Sequence, residues 1–340
     1  MPSQTNTNIT SIDAFIQEII TYAVANAGFT LGVPTFDPGN GDTVHWVSRT
    51  TNGLITYWTF RDRDGSFNNY SDQRMECRMM HEVPDATTYA NLDDGQEFFT
   101  NMGVFYAVPN FPTSKIYTDG TNIFVVLEAK TGVFTHLAFG NLSKVGTYVG
   151  GEFLSATNFS DFVAVPGISN WRPITSGNAN CLLFSERRYS GSTSNGGVNY
   201  VRQNLGGDDR DDYIPFGTDS PVAGLKAFGT IPPSLVTTTF TMTSGTFSPT
   251  FFTAVQTNAP SPFNLRAPLM PVYIFRRNDA KNKVEPLGHI PNISSVRIDN
   301  LNPKEIVNTD WDVYPTSSKI QDPTITSDSG PWGIAYRDVP

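Results

Sequence analysis

The sequence predicts a mainly β protein, with antiparallel sheets forming sandwich- or barrel-like bodies and an amphipathic helix at the N-terminus. Three observations carry that expectation. The 340 residues include 24 Phe, 13 Tyr, 24 Pro and 28 Gly but only 16% charged residues, a composition suited to pleated strands and tight turns. Runs of β-branched and aromatic residues alternate with Asn, Asp, Gly and Pro turn signals through much of the chain. One convincing helical period stands out, near the N-terminus.

In that helix Ile12, Phe15, Ile16, Ile19, Ala23 and Ala27 recur at helical spacing. Thr10 and Asp13 read as a capping pair and Gly28 as the left-handed residue that ends it. The apolar stripe must be buried, on the chain's own sheet or on a neighbouring subunit. "TVHWVSRT" and "GLITYWTFRDRDGSF" then read as a hairpin turning near Thr51–Gly53, with a further turn at Asp64–Gly65. "TNIFVVLEAKTGVFTHLAFGNL" is a second hairpin turning at Lys130–Gly132, and its first strand has the unbroken apolar run of a buried strand. "LVTTTFTMTSGTFSPTFFTAV" alternates like a long half-exposed hairpin, and from "LMPVYIFRRN" onward short strands are separated by Asn-Asp, Pro-Leu-Gly and Asn-Pro turns. No fixed repeat is visible. Composition divides the chain into an N-terminal helix and arm (1–30), a β domain (31–160), a loop-rich β insertion or second β region (161–260) and a C-terminal β segment with an extended tail (261–340).

The net charge of −9 opposes binding to phosphate backbones. Arg187–Arg188 and Arg276–Arg277 are too short to form a basic stripe, so no specific nucleic-acid partner is expected. Cys77 and Cys181 fit no metal or redox spacing. A disulfide between them stays open, two separate thiols being the simpler reading. "MPSQTNTNIT" has neither the basic nor the apolar region of a secretory signal, and no window approaches 18 uninterrupted apolar residues, so no membrane association is expected.

The stretch most like chemistry is "THLAFGNLSKVGTYVGGEF", where His136 precedes glycines 140, 146, 150 and 151. A general base needs a proton-bearing partner and a metal needs further ligands, but His45, His81 and His289 are scattered singly. His136 therefore reads as a packed strand residue. The glycines lack the Lys and Ser/Thr of a phosphate-binding loop, and Val145, Tyr148, Val149 and Phe153 around them favour bends and close packing. Asp208, Asp209, Asp211 and Asp212 around Arg210 lack calcium-loop spacing, and "RDRDGS" looks like a strand-ending turn with surface charges. No catalytic residue, cofactor or metal is expected. A carbohydrate-cleaving enzyme would need two suitably separated carboxylates, which sequence does not reveal.

The segments "ANAGFT", "YWTFRD", "THLAFGNLSKVGTYVGGEF", "PLGHIPNISSVRIDNLNPKEI", "WDVYPTSSK" and "GIAYR" together resemble a group of tailed-bacteriophage virion structural proteins of the neck, tail and baseplate. The resemblance spans most of the chain but rests on turn-and-strand patterns without catalytic content. It implies a non-enzymatic part of the virion, made in the bacterial host cytoplasm and assembled as a symmetric ring. Its partners would be copies of itself and other neck, tail or baseplate proteins. The elements suited to partner docking are the helix, through Phe15 and Ile19, and the polar C-terminal tail, through Trp332 and Tyr336. Packing of the tail onto its own body is the alternative. A different class of function, a glycan-binding receptor-recognition or decoration protein, draws on the aromatic abundance and loops such as Ser190–Asn195.

Overall fold

The computed structural model describes residues 1–37, 42–63, 74–87, 98–102, 111–130, 133–156, 198–204, 212–215, 225–229, 240–242, 245–247, 261–278, 283–298, 300–302, 304–315 and 332–338. It is mainly β, with several antiparallel sheets and, among the described residues, one α-helix. Strand β1 (Ser3–Ile9) leads into helix α1 (Ile12–Asn26). Five strands follow and pair in order as one sheet: β2 (Thr30–Leu31), β3 (Val44–Thr51), β4 (Leu54–Arg63), β5 (Arg74–Met80) and β6 (Phe98–Met102).

The chain next runs through β7 (Phe111–Thr118), β8 (Ile123–Lys130), β9 (Val133–Asn141), β10 (Ser143–Lys144), β11 (Val149–Ala156), β12 (Val198–Asn204) and β13 (Asp212–Pro215). All of these except β10 join β1 in a seven-stranded sheet ordered β1-β7-β8-β9-β11-β12-β13. The remaining strands are β14 (Leu225–Gly229), β15 (Phe240–Met242), β16 (Gly245–Phe247), β17 (Met270–Asn278), β18 (Lys283–Arg297), β19 (Glu305–Val307), β20 (Trp311–Pro315) and β21 (Trp332–Arg337). A C-terminal sheet takes the order β14-β17-β18-β21-β20-β19, β10 pairs with β18 from the side, and β15 pairs with β16 alone.

The seven-stranded sheet is the middle layer of a sandwich. Along β8, Ile123, Val125 and Leu127 enter one core and Phe124 and Val126 the other, as the two-residue period of a strand requires. The first core joins them to α1 and to Val47, Trp58, Phe60, Met75, Cys77 and Met79 of β3–β5. The second joins Tyr117, Phe124, Phe134, Ala138 and Phe153 to Val272, Ile274, Ile290, Ile293, Tyr314, Ile334 and Tyr336 of the C-terminal sheet. This second core draws on both the 31–160 and the 261–340 segments. Burial on both faces explains the unbroken apolar run of β8.

Several local expectations are met. Ile12, Phe15, Ile16, Ile19, Ala23 and Ala27 are all fully buried. The first hairpin pairs Val44–Thr51 with Leu54–Arg61 and turns at Asn52–Gly53, both at positive φ (52° and 82°), the conformation an Asn-Gly turn supplies. The β8–β9 hairpin pairs as expected, while the Lys130–Gly132 turn includes residues outside those described.

Others are corrected. Ser11, not Thr10, caps α1, its hydroxyl accepting from the Ala14 N–H at 3.1 Å. Asp13 instead lies 2.8 Å from His45 Nε2, tying the helix to β3. The Pro-Leu-Gly segment makes no turn: Pro286, Leu287 and Gly288 lie inside the 15-residue β18, whose register against β17 shifts at Ile274/Phe275 and Pro271/Val272. Arg61 is no surface charge. It is 5% exposed in β4 and ion-paired with Asp42 at 3.2 Å. The Asp64–Gly65 turn, Cys181, the arginine pair 187–188, the loop 190–195 and Asp208–Asp211 lie outside the described residues.

Candidate functional site

The glycine-rich stretch is a bridge between two sheets. The chain leaves the middle sheet at the end of β9, pairs Ser143 with His289 and Lys144 with Gly288 on the C-terminal sheet, then returns as β11 beside β9. A side chain at Gly288 would meet the Ser143 carbonyl oxygen at 2.5 Å, so glycine there permits the crossing. Gly140, at φ 141°, abuts Asn122: a Cβ would fall 2.1 Å from Asn122 Oδ1 and 2.9 Å from Asn122 Cα. That oxygen accepts from the Asn141 N–H at 2.5 Å, while the Asn122 amide donates to Asp119 at 2.9 Å. Within the stretch, Gly140 lets chain pass chain, whereas Gly146, at φ 90°, has open space around it.

His136 lies in β9 with its ring fully buried between the middle and C-terminal sheets. Its Nε2 is 2.8 Å from the Pro315 carbonyl, which can only accept, so Nε2 carries the proton. The Tyr336 hydroxyl then donates to Nδ1 at 2.8 Å. Burial lowers the His136 pKa to about 4, against the smaller opposing effect of the Pro315 carbonyl. The ring is neutral near pH 7, with both nitrogens engaged. As a base it would need an open nitrogen facing a substrate, and neither is open.

Next to it stands a stack of tyrosines. Tyr336 lies flat on Tyr117, with centroids 5.1 Å apart and planes at 8°, and on His136 at 6.0 Å and 11°. Tyr117 donates to Asp312 Oδ2 at 2.8 Å, which leaves its oxygen to accept from the Tyr314 hydroxyl at 3.1 Å. Burial raises the pKa of all three phenols, Tyr314 to about 12, so they remain protonated.

Lys115 of β7 completes the network, with Nζ 2.5 Å from both Asp312 Oδ2 and Asp338 Oδ2. Burial works against its charge, but the hydrogen bonds to Asp312 and Asp338 prevail and its pKa is raised. Nearby, Lys304 lies 2.7 Å from Glu128 Oε2. Lys115, Asp312, Glu128 and Lys304 border a cleft of about 250 Å³ that Thr5, Val126, Phe134 and Ile306 also line. A nucleophilic lysine must lose its proton, and here two carboxylates hold it on. Among the described residues no group of three or more His, Cys, Asp or Glu could hold a metal, and no helix is long and apolar enough to cross a membrane.

Of the residues expected to dock partners, Phe15 and Ile19 are fully buried in the first core and Tyr336 in the second. These side chains pack within their own chain. For Tyr336 this is the alternative in which the tail folds back onto its body. Trp332 opens β21, and its side chain lies outside the described residues. The Lys115–Asp312–Asp338 and His136–Tyr336–Pro315 sets are invisible in sequence because partners stand as many as 223 positions apart. Neither protein-family models nor curated protein sequences give a match to this chain.

Proposed function

We propose that the protein is a non-enzymatic structural component of a tailed-phage particle that assembles as a symmetric ring at the neck, tail or baseplate. The observation that carries this reading is where the polar chemistry goes. Lys115, Asp312, Asp338, His136 and the three tyrosines bond to one another across the layers. Such a network stiffens a body, and its hydrogen bonds commit these groups to one another. The resemblance of the segments from "ANAGFT" to "GIAYR" to virion proteins supplies the setting, and copies of this chain with other neck, tail or baseplate proteins are the partners. Ring formation requires a head-to-tail interface that closes by rotation.

Mass photometry with negative-stain microscopy on the purified chain tests the reading. A closed ring of about six or twelve copies is the expected result for an axial component. A trimer transfers the assignment to a receptor-recognition protein and makes glycan binding the next assay. A chain that stays monomeric at its highest soluble concentration, and is absent from purified particles, overturns it.

A further inference from the structure

Strand β21 is held on both of its edges. It lies inside the C-terminal sheet, between β18 and β20, and pairs antiparallel with both. Ile293 to Arg297 of β18 face Tyr336 to Trp332, while Trp311 to Pro315 of β20 face Arg337 to Gly333. Gly333, Ile334, Ala335 and Tyr336 are buried. Ile334 and Tyr336 enter the core against the middle sheet, and Ala335 enters a third core with Val296 and Val313. Without β21 the sheet would hold a slot with two open backbone ladders and an apolar floor. A slot of this form accepts one extended strand, by main-chain bonds and alternate side-chain pockets.

The connection to this strand is far longer than the geometry needs. Pro315 and Gly333 are direct register partners, so β20 and β21 are neighbouring antiparallel strands, a relation that about 2–5 residues close. Here the sixteen residues 316–331, "TSSKIQDPTITSDSGP", separate them. Fully extended, that length reaches about 55 Å, on the order of the width of a folded body of this size.

We infer that β21 is an exchangeable strand: the slot between β18 and β20, filled here by the chain's own residues 332–337, receives the same strand from a neighbouring copy in the assembled ring. The occupant is a second copy because the slot already fits this sequence on both edges. Exchange keeps every bond within the slot and adds a covalent tether between copies, a low-cost route to association. Passed from each copy to the next, the strand is a head-to-tail link. The inference rests on the ring reading above.

The test uses two differently tagged full-length chains made in the same cell, one carrying Ser294→Cys and the other Ala335→Cys. Ser294 and Ala335 are register partners, and antiparallel partners have the Cα separation a disulfide needs. Linked peptides are identified by mass spectrometry, so Cys77 and Cys181 stay as they are. Exchange predicts a 294–335 disulfide between the two chains in roughly a quarter of the slots of a randomly mixed ring. A chain bearing both substitutions that links only to itself, with no link between the singly substituted chains, overturns it. A second variant lacking residues 319–328 keeps enough connection to close the hairpin within one chain but not to reach a neighbour. It should remain folded by circular dichroism and lose assembly, and unchanged assembly overturns the inference. Rings without an inter-chain link refute exchange and leave the ring standing. An inter-chain link in a species that is not a ring does the reverse.

Discussion

On one face of the middle sheet, Leu127, Leu137 and Phe139 pack against α1 and the β3–β5 wall. Phe29, Trp58, Phe60 and Phe139 form a cluster there with centroids 5.2–6.1 Å apart. On the other face, Lys115, Tyr117 and His136 point toward β20 and β21 and meet Asp312, Tyr314, Pro315 and Tyr336. Both contacts are aromatic-rich, but the second carries directional bonds. Apolar contact is non-directional and scales with area, so it holds layers together without choosing their register. A buried histidine between a carbonyl and a phenol is satisfied at one register only, since shifting a strand by one residue sends its side chain to the opposite face. The first interface supplies cohesion, and the second fixes where the C-terminal strands sit.

Three substitutions sharpen this contrast. The largest effect belongs to the apolar side. Trp58 is fully buried and its indole N–H donates to the Phe153 carbonyl at 3.1 Å, so Trp58→Ala should cost about 4 kcal/mol in urea unfolding at pH 7. A loss near that of an exposed residue would mean that this interface does not carry the cohesion assigned to it.

Next comes the ion-paired centre. Lys115→Met keeps volume but leaves Asp312 and Asp338 facing each other without their cation. With Lys115 20% and Asp312 10% exposed, the expected loss is about 3 kcal/mol, the low end for breaking a buried pair. Adding Asp312→Asn should recover part of it, and a purely additive double variant would show that the two do not act as one unit.

His136→Phe is the smallest of the three, about 2 kcal/mol, because it keeps the ring but strips partners from the Pro315 carbonyl and the Tyr336 hydroxyl. It also has a pH signature. The folded pKa, about 4, lies below the ordinary value of 6.5. The unfolded chain thus takes up a proton below pH 6.5 that the folded chain refuses until about pH 4. Stability from this group is present above pH 6.5 and lost as pH falls toward 4, by roughly 3 kcal/mol. The wild-type chain should lose that much more than His136→Phe across this window in parallel urea titrations. Equal losses would show that His136 is not buried neutral.

The local elements were readable because they depend on neighbours in sequence. The spacing from Ile12 to Ala27 marks a helix with one buried stripe, Asn52-Gly53 marks a turn needing two positive φ angles, and the β-branched and aromatic residues of Val44–Thr51 mark a strand. The same logic failed at Pro286-Leu287-Gly288, where turn-forming residues sit inside a long strand because β10 needs Gly288's missing side chain to approach. It failed at Arg61 as well, whose charge is buried because Asp42 meets it.

His136 shows how far each level reaches. Its surroundings in sequence, apolar and β-branched, marked it as a packed strand residue, as it is. That its proton lies on Nε2, and that Tyr336 holds the other nitrogen, depends on β20 and β21 arriving from 179 and 200 positions away. Composition and periodicity thus determined the β class, the helix and the burial of β8's apolar run, since these follow from the geometry of a single element. Which sheets face each other, where the C-terminal strand inserts and which charges are paired were decided only in the tertiary structure. Those contacts join residues whose separation along the chain carries no information about their distance in space.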